Sequence, residues 1–388
     1  MIYIILGLFG LYTLEFGVVG ILPMIVERFG ISVSQAGWLM GMFALIIAVL
    51  GPFLVLLASR VTRKRILVGA LFGFSLCSAL SAFAPGFETL MALRVVPAML
   101  HPVFFAAAFS TAVSLYPKER SAQAAAHALV GTTLGLVLGV PLTTWVGANL
   151  SYEASFFFCA LVTALAGVGL LIKLPDHSRV EPLSFGKQLA VLRRWPVWLA
   201  ILATVLVFST MFAVYSYAAE YLKTVLGMDV SMISSLLVVF GIGGVTGNLL
   251  VGRVLGRHLV ATAIAYPLVL AAAYLVLYRF GSLSWVSMGL IVLLWGAAHT
   301  SGLVVTQVWL TSSAPEAHEF AVSLYVSSAN AGVVFGSFLG GLFIDALGTC
   351  GIIGCGLMFA GLSWLVIVWK ALAFGGGHAA EGAHGVAH

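Results

Sequence analysis

The chain has 388 residues, of which 62% are hydrophobic and 8% charged, with a formal net charge of +5. Soluble domains carry about 25% charged residues, so this composition excludes a soluble enzyme, a nucleic-acid binder and a disordered scaffold. Lipid is the remaining solvent, and at ~20 apolar residues per span there is material for about twelve crossings.

Read in chain order, the apolar runs predict spans at 2–26, 36–58, 66–84, 89–115, 122–145, 154–174, 196–222, 231–252, 259–279, 284–311, 317–344 and 349–372. Such long runs, with 43 glycines and 26 phenylalanines, suit packed helices better than the short alternating strands of a β-barrel. Met1 leads straight into the first run, which holds Glu15 and lacks a basic leader or cleavage site, so no signal peptide is expected. Breaks carry turn and charge chemistry: Arg63-Lys64-Arg65, Pro85-Gly86, Pro117 to Arg120, and Pro175-Asp176. Residues 175–195 form the one sizeable polar linker, and it sits at mid-chain. The expected architecture is all-α and integral to the membrane: twelve helices in two pseudo-symmetric six-helix bundles around a central cavity. The first bundle is 1–174, the cytoplasmic linker 175–195, the second bundle 196–372, and 373–388 a flexible tail with His378, His384 and His388. Cys77, Cys159, Cys350 and Cys355 fall in apolar runs without ligand or disulfide spacing and read as reduced.

Lysine and arginine placement orients the chain. With the N-terminus inside, cytoplasmic positions hold Arg60, Arg63, Lys64, Arg65, Lys118, Arg120, Lys173, Arg179, Lys187, Arg193, Arg194, Arg253, Arg257 and Lys370. Outer loops hold Arg28, Lys223 and Arg279, and Arg94 lies within a span. The opposite topology would invert this bias, so both termini are expected in the cytoplasm, and the basic balance anchors the chain to an anionic inner leaflet.

Two echoes relate the halves. Gly51, Arg60-Val61 and Arg63 parallel Gly244, Arg253-Val254 and Arg257, with Gly51 and Gly244 separated by 193 positions, as are Arg60 and Arg253. Gly131, Gly135 and Gly139 of the fifth span match Gly332, Gly336 and Gly340 of the eleventh. Small residues every four positions let helices approach closely, and parallel repeats of this kind are a known transporter design.

These residues resemble the major facilitator superfamily, in particular its twelve-span drug:proton antiporter branch. Glu15-Phe16 with Gly20, Leu22 and Pro23 is similar to that branch's acidic first-helix motif. Ser59 to Arg65 resembles the loop between second and third helices, with Ser59 where aspartate is usual and Thr62 where glycine is usual. Arg94 matches the fourth-helix arginine, and Gly131 through Gly139-Val140-Pro141 a shortened fifth-helix antiporter motif. Asn330, Gly332, Gly336 and Gly340-Gly341 resemble the eleventh helix. The resemblance implies a proton-coupled secondary transporter that exports by alternating access, with Arg60, Arg63, Gly135, Gly139, Pro141 and Arg253 in its conformational motifs.

Charges inside spans cost about 2.5–3.5 kcal/mol each on insertion scales, so each is a functional candidate. At 1.5 Å per residue, Glu15 lies ~20 Å from the inner face and Arg94 ~8 Å below the outer one. In a ~30 Å core these depths nearly coincide, so the two are expected to interact. Glu15 is then the protonation site, Arg94 its charge partner, and His101, two turns deeper between Pro97 and Pro102, a relay or substrate contact. The prolines are expected to kink the helix and free carbonyls. Tyr215, His299, Gln307 and Asn330 are the candidate substrate contacts, and packing or helix–helix hydrogen bonds are the plain alternative for each. His127 reads as structural, Glu220 as an interfacial carboxylate or outer-gate residue, and Tyr217 as packing. No phosphate-binding loop, zinc-protease motif, G-x-S-x-G elbow or channel filter occurs, so no cofactor and no metal are expected. The expected partners are a small neutral or amphiphilic substrate (drug, sugar or nucleoside class), protons and the bilayer, with no nucleic acid and a monomeric state. An importer or facilitator on the same fold, or a non-transporting receptor, is the alternative.

Overall fold

The structure, a computed structural model, describes residues 1–58, 61–116, 121–175, 189–280, 285–315 and 318–374. Ser59, Arg60, most of the 175–195 linker and the tail histidines lie outside the described residues. Among those described there is no strand, and twelve stretches are long and apolar enough to cross a membrane. We call the side on which Met1 lies the near face and the opposite side the far face.

The first span is two helices, α1 (Ile2–Gly20) and α2 (Leu22–Phe29). The break at Ile21 follows from Pro23, which lacks an N–H and crowds the carbonyl four residues back. Gly30 ends α2 in the left-handed conformation (φ 61°), and a reciprocal Ser32–Gln35 capping pair starts α3 (Val33–Ala58). Next come α4 (Arg63–Ser81) and α5 (Phe87–Ser114), the latter continuous across Pro97 and Pro102. The fifth span is composite: α6 (Ser121–Leu134), a π-helical turn at Gly135–Gly139, and α7 (Val140–Asn149). The Ser151 hydroxyl caps α8 (Tyr152–Lys173).

In the second half, α9 (Trp195–Tyr215) breaks before a short α10 (Ala218–Thr224), as α1 breaks before α2. The eighth and ninth spans are separate, as expected: Val230–Leu255 and Arg257–Phe280 are two helices that meet at a kink where His258 leaves helical geometry (φ −137°, ψ 51°), and they are numbered together as α11 (Val230–Phe280). α12 (Trp285–Thr311), α13 (His318–Leu347) and α14 (Gly351–Phe374) complete the fold.

Two packing rules follow from the residue types. Buried hydroxyls donate to the carbonyl a turn earlier in their own helix, as Thr13 to Phe9, Thr143 to Gly139, Thr204 to Ala200 and Ser328 to Leu324, so they cost little at lipid depth. Glycine stripes then set the closest helix pairs. Gly131 and Gly135 stand against the carbonyls of Ile5 and Phe9, and Gly139 against Thr13. Gly332, Gly336 and Gly340 stand against the carbonyls of Val205, Ser209 and Ala213. A methyl group at most of these positions would overlap α1 or α9 backbone, and the stripes hold α6–α7 on α1 and α13 on α9.

Candidate functional site at the junction of the halves

The two halves meet on the far side. Gly37 of α3 accepts the buried Tyr217 ring, whose hydroxyl donates to the Ser337 carbonyl (2.6 Å). Ser34 abuts Gly341, and the Ser234 hydroxyl donates to the Pro141 carbonyl (2.9 Å). Lys223 of α10 pairs with Glu27 of α2 at the exposed rim. Deeper, the ring of Phe16 meets that of Phe212 at 5.8 Å. These contacts close the far end of the cleft between the halves.

One residue before Phe16, Glu15 is buried, and its carboxylate Oε2 lies 3.0 Å from Nε2 of His101. Neither imidazole nitrogen has an in-line hydrogen bond among the described residues, so the contact is a close polar approach of oxygen to nitrogen. Aromatic rings enclose the histidine: Phe105 stacked at 6.3 Å, Tyr12 at 6.1 Å and Phe43 edge-on at 6.0 Å.

Arg94 also reaches Glu15, but through the backbone. Its Nη1 donates to the Leu14 carbonyl (3.2 Å) and its Nη2 to the Glu15 carbonyl (3.0 Å), while its guanidinium carbon sits 4.8 Å over the Phe43 ring. The carboxylate therefore faces imidazole, and the guanidinium stitches α5 to α1. A cavity of about 20 Å³, room for roughly one water, borders Arg94 among Ser78, Ser81, Thr143, Ser155 and Cys159.

The second half carries a matching cluster. His299 is buried, with Tyr215 at 4.8 Å, Phe240 at 5.3 Å and Phe212 at 5.7 Å between ring centroids. Its Nδ1 has no partner, and its own carbonyl accepts from Tyr266 at 3.4 Å. Trp295, one turn earlier, meets Phe240 edge-on at 4.9 Å. Tyr12, Phe43, Phe105, Phe212 and Phe240 were not singled out from sequence, although Tyr12 and Phe212 each sit three residues before a candidate, on the same helix face.

The other candidates lie apart from these clusters. Gln307 is exposed, about 12 Å along α12 from His299 at 1.5 Å per residue. Asn330 is half-buried and donates to Val326 in its own helix. Arg253 is exposed and Arg63 half-buried, while Gly135, Gly139 and Pro141 are buried against α1 and α11. Glu220 is buried one turn before Lys223, and His127 shares a 3.3 Å hydrogen bond with Tyr116. Among the described residues no cluster of three or more metal-binding side chains occurs.

Known proteins converge on one family. The model of the Major Facilitator Superfamily matches residues 4–318. The chain is 32% identical to "Inner membrane transport protein YdhP" of Escherichia coli O157:H7, covering 88% of this chain and 87% of the relative. It is 29% identical to the MFS-type transporter YfhI of Bacillus subtilis (strain 168), with 87% and 85% covered. Among solved structures, a bacterial homolog of the human lysosomal transporter Spinster, inward-facing and occupied, superposes with a TM-score of 0.75 at 17% identity, covering 96% of this chain and 94% of that one. The nucleoside transporter NupG superposes with a TM-score of 0.76 at 12% identity, covering 96% and 100%. The twelve spans, the glycine-packed helix pairs and a family match across most of the length lead to one conclusion: this chain is a multi-pass membrane protein belonging to the Major Facilitator Superfamily of transporters.

Proposed function

We propose that the protein is a proton-coupled exporter of a small neutral or amphiphilic molecule, working as a monomer by alternating access between units 1–174 and 196–372. The observation that carries this reading is the Glu15–His101 pair, a carboxylate and an imidazole 3.0 Å apart at membrane depth, beside the Phe16–Phe212 junction of the halves. A carboxyl group there can hold a proton while buried and shed it when water reaches it, and imidazole is the side chain suited to pass it on. The near face is then the cytoplasmic face of an inner membrane, as the lysine and arginine bias supports. In this reading the far-side contacts close the cleft to the outside.

In this reading Tyr215 and His299 contact the substrate within an aromatic wall that favours flat or amphiphilic cargo. Asn330 and Gln307, which lie apart from this cluster, are the outlying candidates for substrate contact. Arg94 fixes the position of Glu15 by holding its backbone. Gly135, Gly139, Pro141 and the arginines Arg60, Arg63 and Arg253 belong to the moving parts.

The test is drug accumulation in cells and in inverted membrane vesicles, with and without an imposed pH gradient, for wild type and Glu15→Gln. Gradient-driven transport should be lost in Glu15→Gln while ligand-dependent stabilisation of the purified protein persists. Undiminished gradient-driven transport by Glu15→Gln refutes the assignment.

A further inference from the structure

The glycine stripes fix the register between the halves. Gly131 faces Ile5 and Gly332 faces Val205; Gly135 faces Phe9 and Gly336 faces Ser209; Gly139 faces Thr13 and Gly340 faces Ala213. All three comparisons relate α1 to α9 by 200 positions. Under that offset Tyr12 corresponds to Phe212, and Glu15 to Tyr215.

The histidines correspond as well. Gly51 rests on Pro102, which follows His101, and Gly244 rests on Thr300, which follows His299. Gly51 and Gly244 are themselves the repeat-related pair of α3 and α11. Each histidine then touches the equivalent two residues. His101 has Tyr12 at 6.1 Å and Glu15 at 3.0 Å, and His299 has Phe212 at 5.7 Å and Tyr215 at 4.8 Å.

We propose that Tyr215–His299 is the Glu15–His101 site repeated in the second half, and that the tyrosine at position 215 is what confines proton binding to the first half. A carboxyl group ionises near pH 4 in water and a phenol near pH 10, so a phenol keeps a hydrogen-bonding hydroxyl but exchanges no proton near neutrality. The surroundings agree with this division of labour. Glu15 is faced by His101, by Tyr12 of its own helix and by the backbone-bound Arg94. His299 is faced by Phe212, Tyr215 and Phe240, with the Tyr266 hydroxyl on its carbonyl, and joins no ion pair among the described residues. One half-site thus sets a carboxyl group against imidazole and the other a phenol against imidazole. The idea deepens the coupling role given to Glu15 and rests on it.

The experiment is infrared spectroscopy of the purified protein in lipid, following the protonated-carboxyl band against pH, with no substrate needed. Wild type should show a band that disappears in Glu15→Gln. Tyr215→Glu should add a second band titrating within one pH unit of the first, and Tyr215→Gln should add none. A new carboxyl that titrates near pH 4, as in water, overturns the equivalence. Should Tyr215→Glu not fold, the histidines decide: His101→Gln must shift the Glu15 band and His299→Gln must leave it in place. Equal shifts in both overturn the proposal. A wild-type protein with no Glu15-dependent band counts instead against the coupling role of Glu15.

Discussion

Gly37→Ala is the most direct probe of the far-side seal. A methyl group at position 37 would fall on the Tyr217 hydroxyl and ring carbons, well inside contact distance. That ring cannot swing aside freely, because it is fully buried and its hydroxyl is held by the Ser337 carbonyl at 2.6 Å. Overpacking of this kind costs about 1–3 kcal/mol, and rupturing the hydrogen bond instead costs about 0.5–1.5 kcal/mol. When the halves part on this side, Gly37 leaves Tyr217 and the penalty vanishes, so it falls on the sealed state alone. At tenfold per 1.4 kcal/mol, an overpacking cost of about 1–3 kcal/mol shifts the equilibrium about 5- to 140-fold toward far-side opening. Ser34, buried against Gly341, reports that opening when replaced by cysteine in a background lacking the 4 natural cysteines. A membrane-impermeant maleimide added outside intact cells should label Ser34→Cys at least fivefold faster when Gly37→Ala is present. Labelling within twofold of the parent would refute the reasoning that Tyr217 packing holds the seal.

Other expectations follow from the same contacts. Glu27→Lys should loosen the rim and Lys223→Glu in the same chain restore it; the pair is exposed, so the change should stay below about 1 kcal/mol and fade in high salt, read by the same labelling. Arg94→Gln should remove two hydrogen bonds from a charged donor to the Leu14 and Glu15 carbonyls, which keep their helical partners, and cost about 1.5–3 kcal/mol per bond lost, seen as a lower melting temperature in detergent. Gly336→Val should separate α13 from α9 and lower the melting temperature further than the same change at Gly361, whose surroundings are open. Lys370→Ala should remove a buried amine 3.7 Å from the Trp309 ring centroid and its 2.7 Å hydrogen bond to Ser313, lowering stability by about 1–3 kcal/mol, read as the melting temperature.

Span number and the glycine stripes were legible in sequence because lipid enforces both, through apolar length and through close helix approach. Glu15 and His101 were legible because a titratable group at lipid depth stands out against an apolar run. Helix orientation about the long axis was not: these helices are apolar on every side, so no amphipathic stripe tells cleft from lipid, and Gln307 looked as central as His299. Arg94 and Glu15 do interact, but that the contact runs through the main chain escaped for another reason. Depth arithmetic brought Arg94 to the level of Glu15, yet an arginine with several donors is satisfied as well by two carbonyls as by one carboxylate, and residue types cannot say which. The break between the eighth and ninth spans was legible too, because Arg253, Arg257 and His258 interrupt the apolar run where the helix kinks.

Because Arg94 grips main-chain oxygens, two of its ties to the first helix do not run through the Glu15 carboxylate. Those ties button the two helices together. Movement set off at the carboxylate thus has a fastened pair of helices on one side of it, and on the other the Phe16–Phe212 seam, where ring contact joins the halves.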